Sequence, residues 1–232
     1  DPELDPGSEA MMGRDRTLAY VAPFVVFLGL LAAGQQGWLK WLGEWEYAAR
    51  VGVVALVIAV VSRPVLDFRV RNFLGSLLVG VGVFVLWIAP DTLIPGWRQN
   101  PVFTVFGEVR ISLSAEQLAS PLLLVFRTLS AAVMVPILEE LFWRGWMMRW
   151  WVNKDFESVP MGETDRQGFW VVAALFALEH GPFWEVGLLT GVIYNWWMTK
   201  TRSLGDLIFV HGVTNLVLSL YVIATKQWQF WM

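Results

Sequence analysis

The feature that most limits what this chain can become is a series of apolar runs, each roughly 15 to 20 residues long, separated by short polar stretches. A helix rises about 1.5 Å per residue, so such a run crosses most of a hydrocarbon core ~30 Å thick. In lipid every backbone N–H and C=O needs a partner within the protein, and a helix meets that demand inside one segment. With 56% hydrophobic and only 16% charged residues among 232, the chain has too little charge to clothe a water-soluble surface of that size. The sequence therefore predicts an all-α, polytopic transmembrane helical bundle of about seven spans, with six to eight allowed.

The spans are placed near Thr17–Ala33, Tyr47–Val61, Phe73–Ala89, Pro121–Trp143, Phe169–His180, Trp184–Met198 and Leu204–Ala224. The fifth run holds only 12 residues and ends at Gly181-Pro182. It either starts earlier, in the amphipathic stretch before Phe169, or makes a shallow hairpin with the run after it. Asp91 to Gln117, rich in Pro, Gly and Asn, reads as an external loop along the membrane. Fifteen tryptophans are present, many near predicted span ends (Trp38, Trp41, Trp45, Trp97, Trp228 and Trp231 among them), where amphipathic rings favour the headgroup level.

Orientation follows from the basic residues. With the N-terminus inside, one side carries Arg14, Arg16, Arg63, Arg69, Arg71, Arg149, Lys154, Arg166, Lys200 and Arg202, against Lys40, Arg50, Arg98, Arg110 and Lys226 on the other, ten against five. That bias predicts an inside N-terminus. No segment has the order of a cleaved signal peptide, so the first run is expected to be a permanent span. Residues 1–10, polar and carrying four acids, read as a cloning scar or disordered tail, and 11–232 as one integral membrane domain with its motif-bearing core at 121–220. Without those acids the balance moves from 17 basic against 20 acidic to 17 against 16, so net charge points to no nucleic acid or other charged partner. The absence of cysteine excludes disulfides, thiolate metal sites and a thiol nucleophile.

Charge inside apolar runs is costly, and where it occurs it marks function. The fourth run contains Glu139, Glu140 and Arg144. Counting from a Ser120-Pro121 start, Glu139 lies ~27 Å along the helix, near its inner end. Pro136 removes the hydrogen bond to the Ala132 carbonyl and bends the axis one turn before it. Glu140 and Arg144, four apart, face each other. Glu139 points about 100° away, with Trp143 rather than a base at i+4, and is the acid left over. The chain has two histidines, both in apolar runs: His180 ends Phe176-Ala-Leu-Glu-His180, and His211 shares a helix face with Asn215. Glu179, on another face from His180, is less favoured. Arg127 is expected to snorkel outward or to pair with an acid such as Glu185.

In order, EExxxR (Glu139, Glu140, Arg144), FxxxH (Phe176, His180) and HxxxN (His211, Asn215) resemble the three motifs of the CPBP family: Rce1-like type II CAAX prenyl endopeptidases with their bacteriocin-processing and abortive-infection relatives. The resemblance implies glutamate-dependent intramembrane proteolysis without a cofactor. Glu139 and His180 would activate water, His211 and Asn215 would donate to the oxyanion, and Glu140, Arg144 and Phe176 would support them. Phe156 to Pro160 (FESVP) and the ending Ala224 to Trp231 are similar to an exosortase-associated bacterial subgroup. That implies a bacterial inner membrane and, as substrate, the C-terminal tail of another secreted or membrane protein, while the depths of Glu139, His180 and His211 along their helices allow one pocket in the cytoplasmic half. Oligomeric state is left open.

Other readings use the same residues. Glu139, His180 and His211 would be three ligands for zinc, though no HExxH is present. A rhomboid-type serine at Gly75-Ser76 lacks its Gly-rich turn. A proton-coupled carrier would use the acid and histidines as a relay. A non-catalytic tail-binding or immunity scaffold would keep the pocket without the chemistry.

Overall fold

A computed structural model describes residues 6–109, 111 and 113–231, without the side chains of 6–15 and 104; of the expected N-terminal tail, residues 1–5 lie outside the described residues. Every regular element described is helical. The elements are α1 (Pro6–Gln35), α2 (Glu46–Val57), α3 (Phe73–Leu93), α4 (Ala115–Ala119), a broken α5 (Pro121–Val152), α6 (Arg166–Leu178), α7 (Trp184–Thr201) and α8 (Leu204–Thr225).

Among the described residues, five segments are long and apolar enough to cross a bilayer: Arg16–Gln35, Lys40–Val65, Phe73–Leu93, Pro121–Val152 and Leu204–Thr225. Their outward faces carry large apolar side chains, for example Leu28, Leu56, Val60, Leu74 and Leu78. A water-soluble bundle would turn these inward; here the bilayer is the solvent they meet. The segments differ in depth within the bundle. About a fifth of the α1, α2 and α3 windows is buried, against 28% for α5 and 33% for α8, so the two helices that carry the acids and His211 are also the most enclosed.

The capping signals explain most boundaries. Asn72 accepts from Gly75 N, Ser120 from Leu123 N ahead of Pro121, Asp165 from Gly168 N and Ser203 from Asp206 N. The fifth and sixth runs resolve into an antiparallel hairpin, α6 of 13 residues and α7 of 18, so the fifth run does start earlier, at Arg166, and remains short for a full crossing. The fourth run extends nine residues beyond the expected Trp143. Arg149, which reads as a loop cation in sequence, is buried: its Nε donates to the Gly145 carbonyl and its guanidinium lies over Tyr20 and Phe156. That same contact pins the FESVP loop to α1 and α5.

Helix α8 packs along α3 and across the middle of α5. Gly80 lets α3 approach closely, since a Cβ there would stand 2.7 Å from the Val210 carbonyl. At the start of α8, buried Asp206 ties two elements together. Its carboxylate accepts from Arg71 N, Asn72 N and Ser76 Oγ, and Ser76 Oγ in turn receives Trp197 Nε1. Ser76 is thus a structural partner in this knot rather than a nucleophile.

Asp206→Ala strands those donors and is expected to cost about 2–4 kcal/mol, whereas Asp206→Asn, which retains an acceptor, costs less. Denaturant titration of the purified protein in detergent measures both.

Candidate active site

Two π-helical turns, Ser130–Met134 and Leu141–Met147, bracket Val135–Glu140 within α5. The widened register changes which carbonyl Pro136 sets free. Val135 N–H closes the π turn on the Ser130 carbonyl, so the next donor in that register would be residue 136, and proline has none. The orphan is the Ala131 carbonyl, not only that of Ala132 as a plain α-helix predicts. Asn215 Nδ2 of α8 donates to Ala131 O at 2.9 Å, and Gly212 sits so close to Ala132 O that a Cβ would come within 2.8 Å. The proline break is therefore a docking point for α8. One N–H of Asn215, read as an oxyanion donor, is committed to holding it.

One turn on, the acid pair diverges. Glu140 and Arg144 have no exposure and meet at 3.2 Å. Arg144 Nε further donates to Asn195 Oδ1 (2.9 Å), whose Nδ2 in turn donates to the Phe169 carbonyl (2.8 Å), and the guanidinium stacks on Phe176 with Cζ 4.5 Å from the ring centre. Asn195 carries no sequence signal of its own: it is one polar residue in an apolar helix, and only the fold brings it to the guanidinium. The same Glu140 Oε1 lies 2.8 Å from His211 Nδ1. A carboxylate accepts and cannot donate, so Nδ1 carries the proton and the ring is held with Nε2 toward Glu139, 3.9 Å from Oε2. Tyr194 packs its ring 5.3 Å from that of His211 and gives its hydroxyl proton to Thr214. Glu139 is 8% exposed, and its Oε2 is buried without a hydrogen-bond partner, as is Glu140 Oε2.

His180 arrives differently from the sequence expectation. It lies just beyond the end of α6, in the turn to α7, not within a spanning helix. Gly181 there has φ +51°, a conformation that favours glycine, and so permits the sharp reversal before Pro182. His180 Nδ1 is 2.7 Å from the carbonyl of Phe176, four residues back, so it too carries its proton on Nδ1 and presents Nε2 as an acceptor. Its ring abuts Phe176 (4.7 Å between centres) and Trp87 (5.1 Å), and Phe176 also meets His211 at 6.3 Å. Phe176 therefore stands between the two imidazoles as a shared wall, which the FxxxH spacing alone does not reveal. No group of three or more His, Asp or Glu among the described residues is arranged to hold a metal ion.

The turn itself is latched from outside. Arg98 binds Asp91 and Glu185 at 2.8 and 2.6 Å, donates to the Pro182 carbonyl and lies 4.0 Å over Phe183. This overturns the expected pairing of Arg127 with Glu185. Glu185 belongs to Arg98, and Arg127 donates to the Trp231 carbonyl and faces the Trp231 ring. Trp231 is accordingly buried instead of anchoring at an interface, unlike Trp38, Trp41 and Trp45, which are well exposed.

Residues 121–217 match the family model described as type II CAAX prenyl endopeptidase Rce1-like. The match spans less than half of the chain, but it runs from the start of α5 through Asn215 on α8 and so takes in Glu139, Glu140, Arg144, Phe176, His180, Asn195, His211 and Asn215, leaving out Trp87, the Arg98 latch and Trp231. No curated protein and no solved structure matches the chain.

Arg144→Met leaves Glu140 buried beside His211 alone and is expected to destabilise by about 3–5 kcal/mol, with Glu140→Gln/Arg144→Met recovering part of that loss. A double-mutant cycle read by denaturant titration checks it.

Proposed function

We propose that the protein is an intramembrane endopeptidase in which Glu139 activates a water molecule against a peptide bond near the C-terminal tail of another membrane-associated or secreted protein. The observation that carries the reading is the buried, unpartnered Glu139 Oε2 facing His211 Nε2 at 3.9 Å, within a segment matched by an endopeptidase family. A water hydrogen-bonded at ~2.8 Å to both atoms fits beside that gap. Glu139 takes its proton as the hydroxide attacks the carbonyl carbon, and returns it to the amine nitrogen as the C–N bond breaks. His180, with a free acceptor at Nε2, orients the water from the turn side.

The oxyanion that forms needs donors that are already in place. His211 supplies one from Nε2 once its ring has taken up a second proton from the medium before the substrate arrives, and Glu140 at 2.8 Å balances that charge. The remaining N–H of Asn215 supplies another. Glu140, Arg144 and Phe176 hold these groups and do not touch the substrate. The chemistry needs no metal or other cofactor. The surplus of basic residues supports an inside N-terminus and a site in the cytoplasmic half of a bacterial inner membrane. The FESVP and C-terminal stretches support an exosortase-linked setting, in which the tail is not prenylated.

Reconstituted protein is expected to cut candidate tail peptides, with fragments identified by mass spectrometry. Glu139→Gln should abolish cutting while peptide binding persists, and His180→Ala should lower the rate by about 100-fold or more. Activity should survive a chelator. A Glu139→Gln protein that still cuts, or one that a chelator silences and zinc restores, contradicts the reading.

A further inference from the structure

His180 stands where α6 has already ended, so its place is set by a turn and not by a helix. Its N–H bonds the Ala177 carbonyl at 3.1 Å, and its own carbonyl accepts from Phe183 N–H at 3.0 Å. With 13 residues α6 rises only ~20 Å, short of a hydrocarbon core of ~30 Å, and the chain that follows α3 closes over the turn it leaves. Trp184 Nε1 donates to the Val102 carbonyl at 3.3 Å, and the Phe103 and Phe106 rings lie 6.3 and 6.1 Å from that of Trp184. A Cβ on Gly181 would come 3.3 Å from the Phe106 carbonyl.

Arg98 is the centre of this closure. Its Nε donates to both carboxylate oxygens of Asp91 at the end of α3, at 3.0 and 2.9 Å. Its Nη2 meets Glu185 Oε1 in the first turn of α7 at 2.6 Å, and its Nη1 donates to the Pro182 carbonyl. Trp97 Nε1 donates to the same Glu185 oxygen at 3.1 Å. The three charged side chains are only 11 to 14% exposed, so little water screens them. A planar guanidinium reaches three acceptors on three elements at once; a lysine ammonium on a flexible stem does not reproduce that fork. The guanidinium also lies over Phe183, whose ring stacks on Trp87, and Trp87 meets the His180 imidazole edge-on. From the side of α7, Gly187 comes so near that a Cβ there would stand 3.2 Å from the His180 Cβ.

We propose that Arg98 is a positioning residue for His180: acting through Pro182, Phe183 and Glu185, it makes the loop from Trp97 to Gly107 a strap that sets where the imidazole stands. The proposal rests on the endopeptidase reading for its catalytic consequence, though not for the position itself. Cutting the latch leaves the turn tied at Gly187 alone, and the ring is then free to leave the Phe176 carbonyl. A misplacement of about 1 Å in a group that orients water is enough to cost on the order of 100-fold in rate.

Protein labelled with ¹⁵N-histidine in lipid nanodiscs tests the positioning without requiring activity. In Arg98→Lys, which keeps the charge and loses the fork, the His180 resonances are expected to shift toward those of a ring exchanging its Nδ1 bond, while the His211 resonances stay. Arg98→Gln should give a larger shift of the same kind. An unmoved His180, or His180 and His211 moved alike, overturns the proposal. So does failure of both variants to fold, which would assign the latch to the fold alone. With a cleaved tail peptide as substrate, Arg98→Lys should lower kcat by about 10- to 100-fold at unchanged KM, and a wild-type kcat beside a displaced His180 also overturns the proposal. A His180 that shifts in a protein that cuts no peptide would sink the endopeptidase reading and keep the latch; an unmoved His180 in a protein that Glu139→Gln inactivates would do the reverse.

Discussion

The whole arrangement depends on one fully buried carboxylate, that of Glu140. Glu140, without exposure, holds Arg144 from its own helix and His211 from α8, and so converts two long helices with apolar surfaces into a single rigid frame. Lipid offers helices no hydrophobic reason to associate with each other rather than with acyl chains, so shape and polar bonds must supply the specificity. Ionic groups in such surroundings are retained only where each is compensated. Once Glu140 is spent on Arg144 and on His211 Nδ1, Glu139 keeps its Oε2 without a hydrogen-bond partner, and in the endopeptidase reading proposed above it is this leftover acid that does the chemistry.

The backbone enforces the same division. Pro136 and the π turns on either side of it free carbonyls in the middle of α5, and α8 answers with the Asn215 amide and the bare surface of Gly212. A helix that ran regularly from Ser120 to Val152 would offer α8 no such notch. The defect in α5 therefore sets the depth at which His211 enters, and the acid pair one turn later lies opposite it. The turn carrying His180 is held by unrelated means, through Gly181, the Arg98 latch and the Trp87 ring. The Glu139–His211 half and the His180 half are thus built on separate supports that meet across Phe176.

Much of this was legible from the residues alone. The apolar runs gave the helical membrane class, Ser120-Pro121 marked the start of α5, and i,i+4 spacing paired Glu140 with Arg144. What escaped was whatever depends on a partner far away in sequence. The π register shifted the orphaned carbonyl from the one expected to Ala131. Arg149 passed for a loop cation because nothing local shows that Tyr20 and Phe156 enclose it. Asn195 gave no signal, since a single asparagine in an apolar run acquires meaning only from the guanidinium it meets.

Two histidines in the chain make the central geometry open to direct measurement. In protein labelled with ¹⁵N-histidine and embedded in lipid, each ring can be assigned with a single variant, and magnetic resonance reports which nitrogen carries a proton and what it bonds. The account requires one ring with a proton fixed on Nδ1 in a strong bond to a carboxylate, altered by Glu140→Gln, and a second ring bonded to a backbone carbonyl and indifferent to that change. A His211 ring that averages between tautomers and ignores the loss of Glu140 would show that α5 and α8 are not joined in this way, and the site built on that joint would not stand.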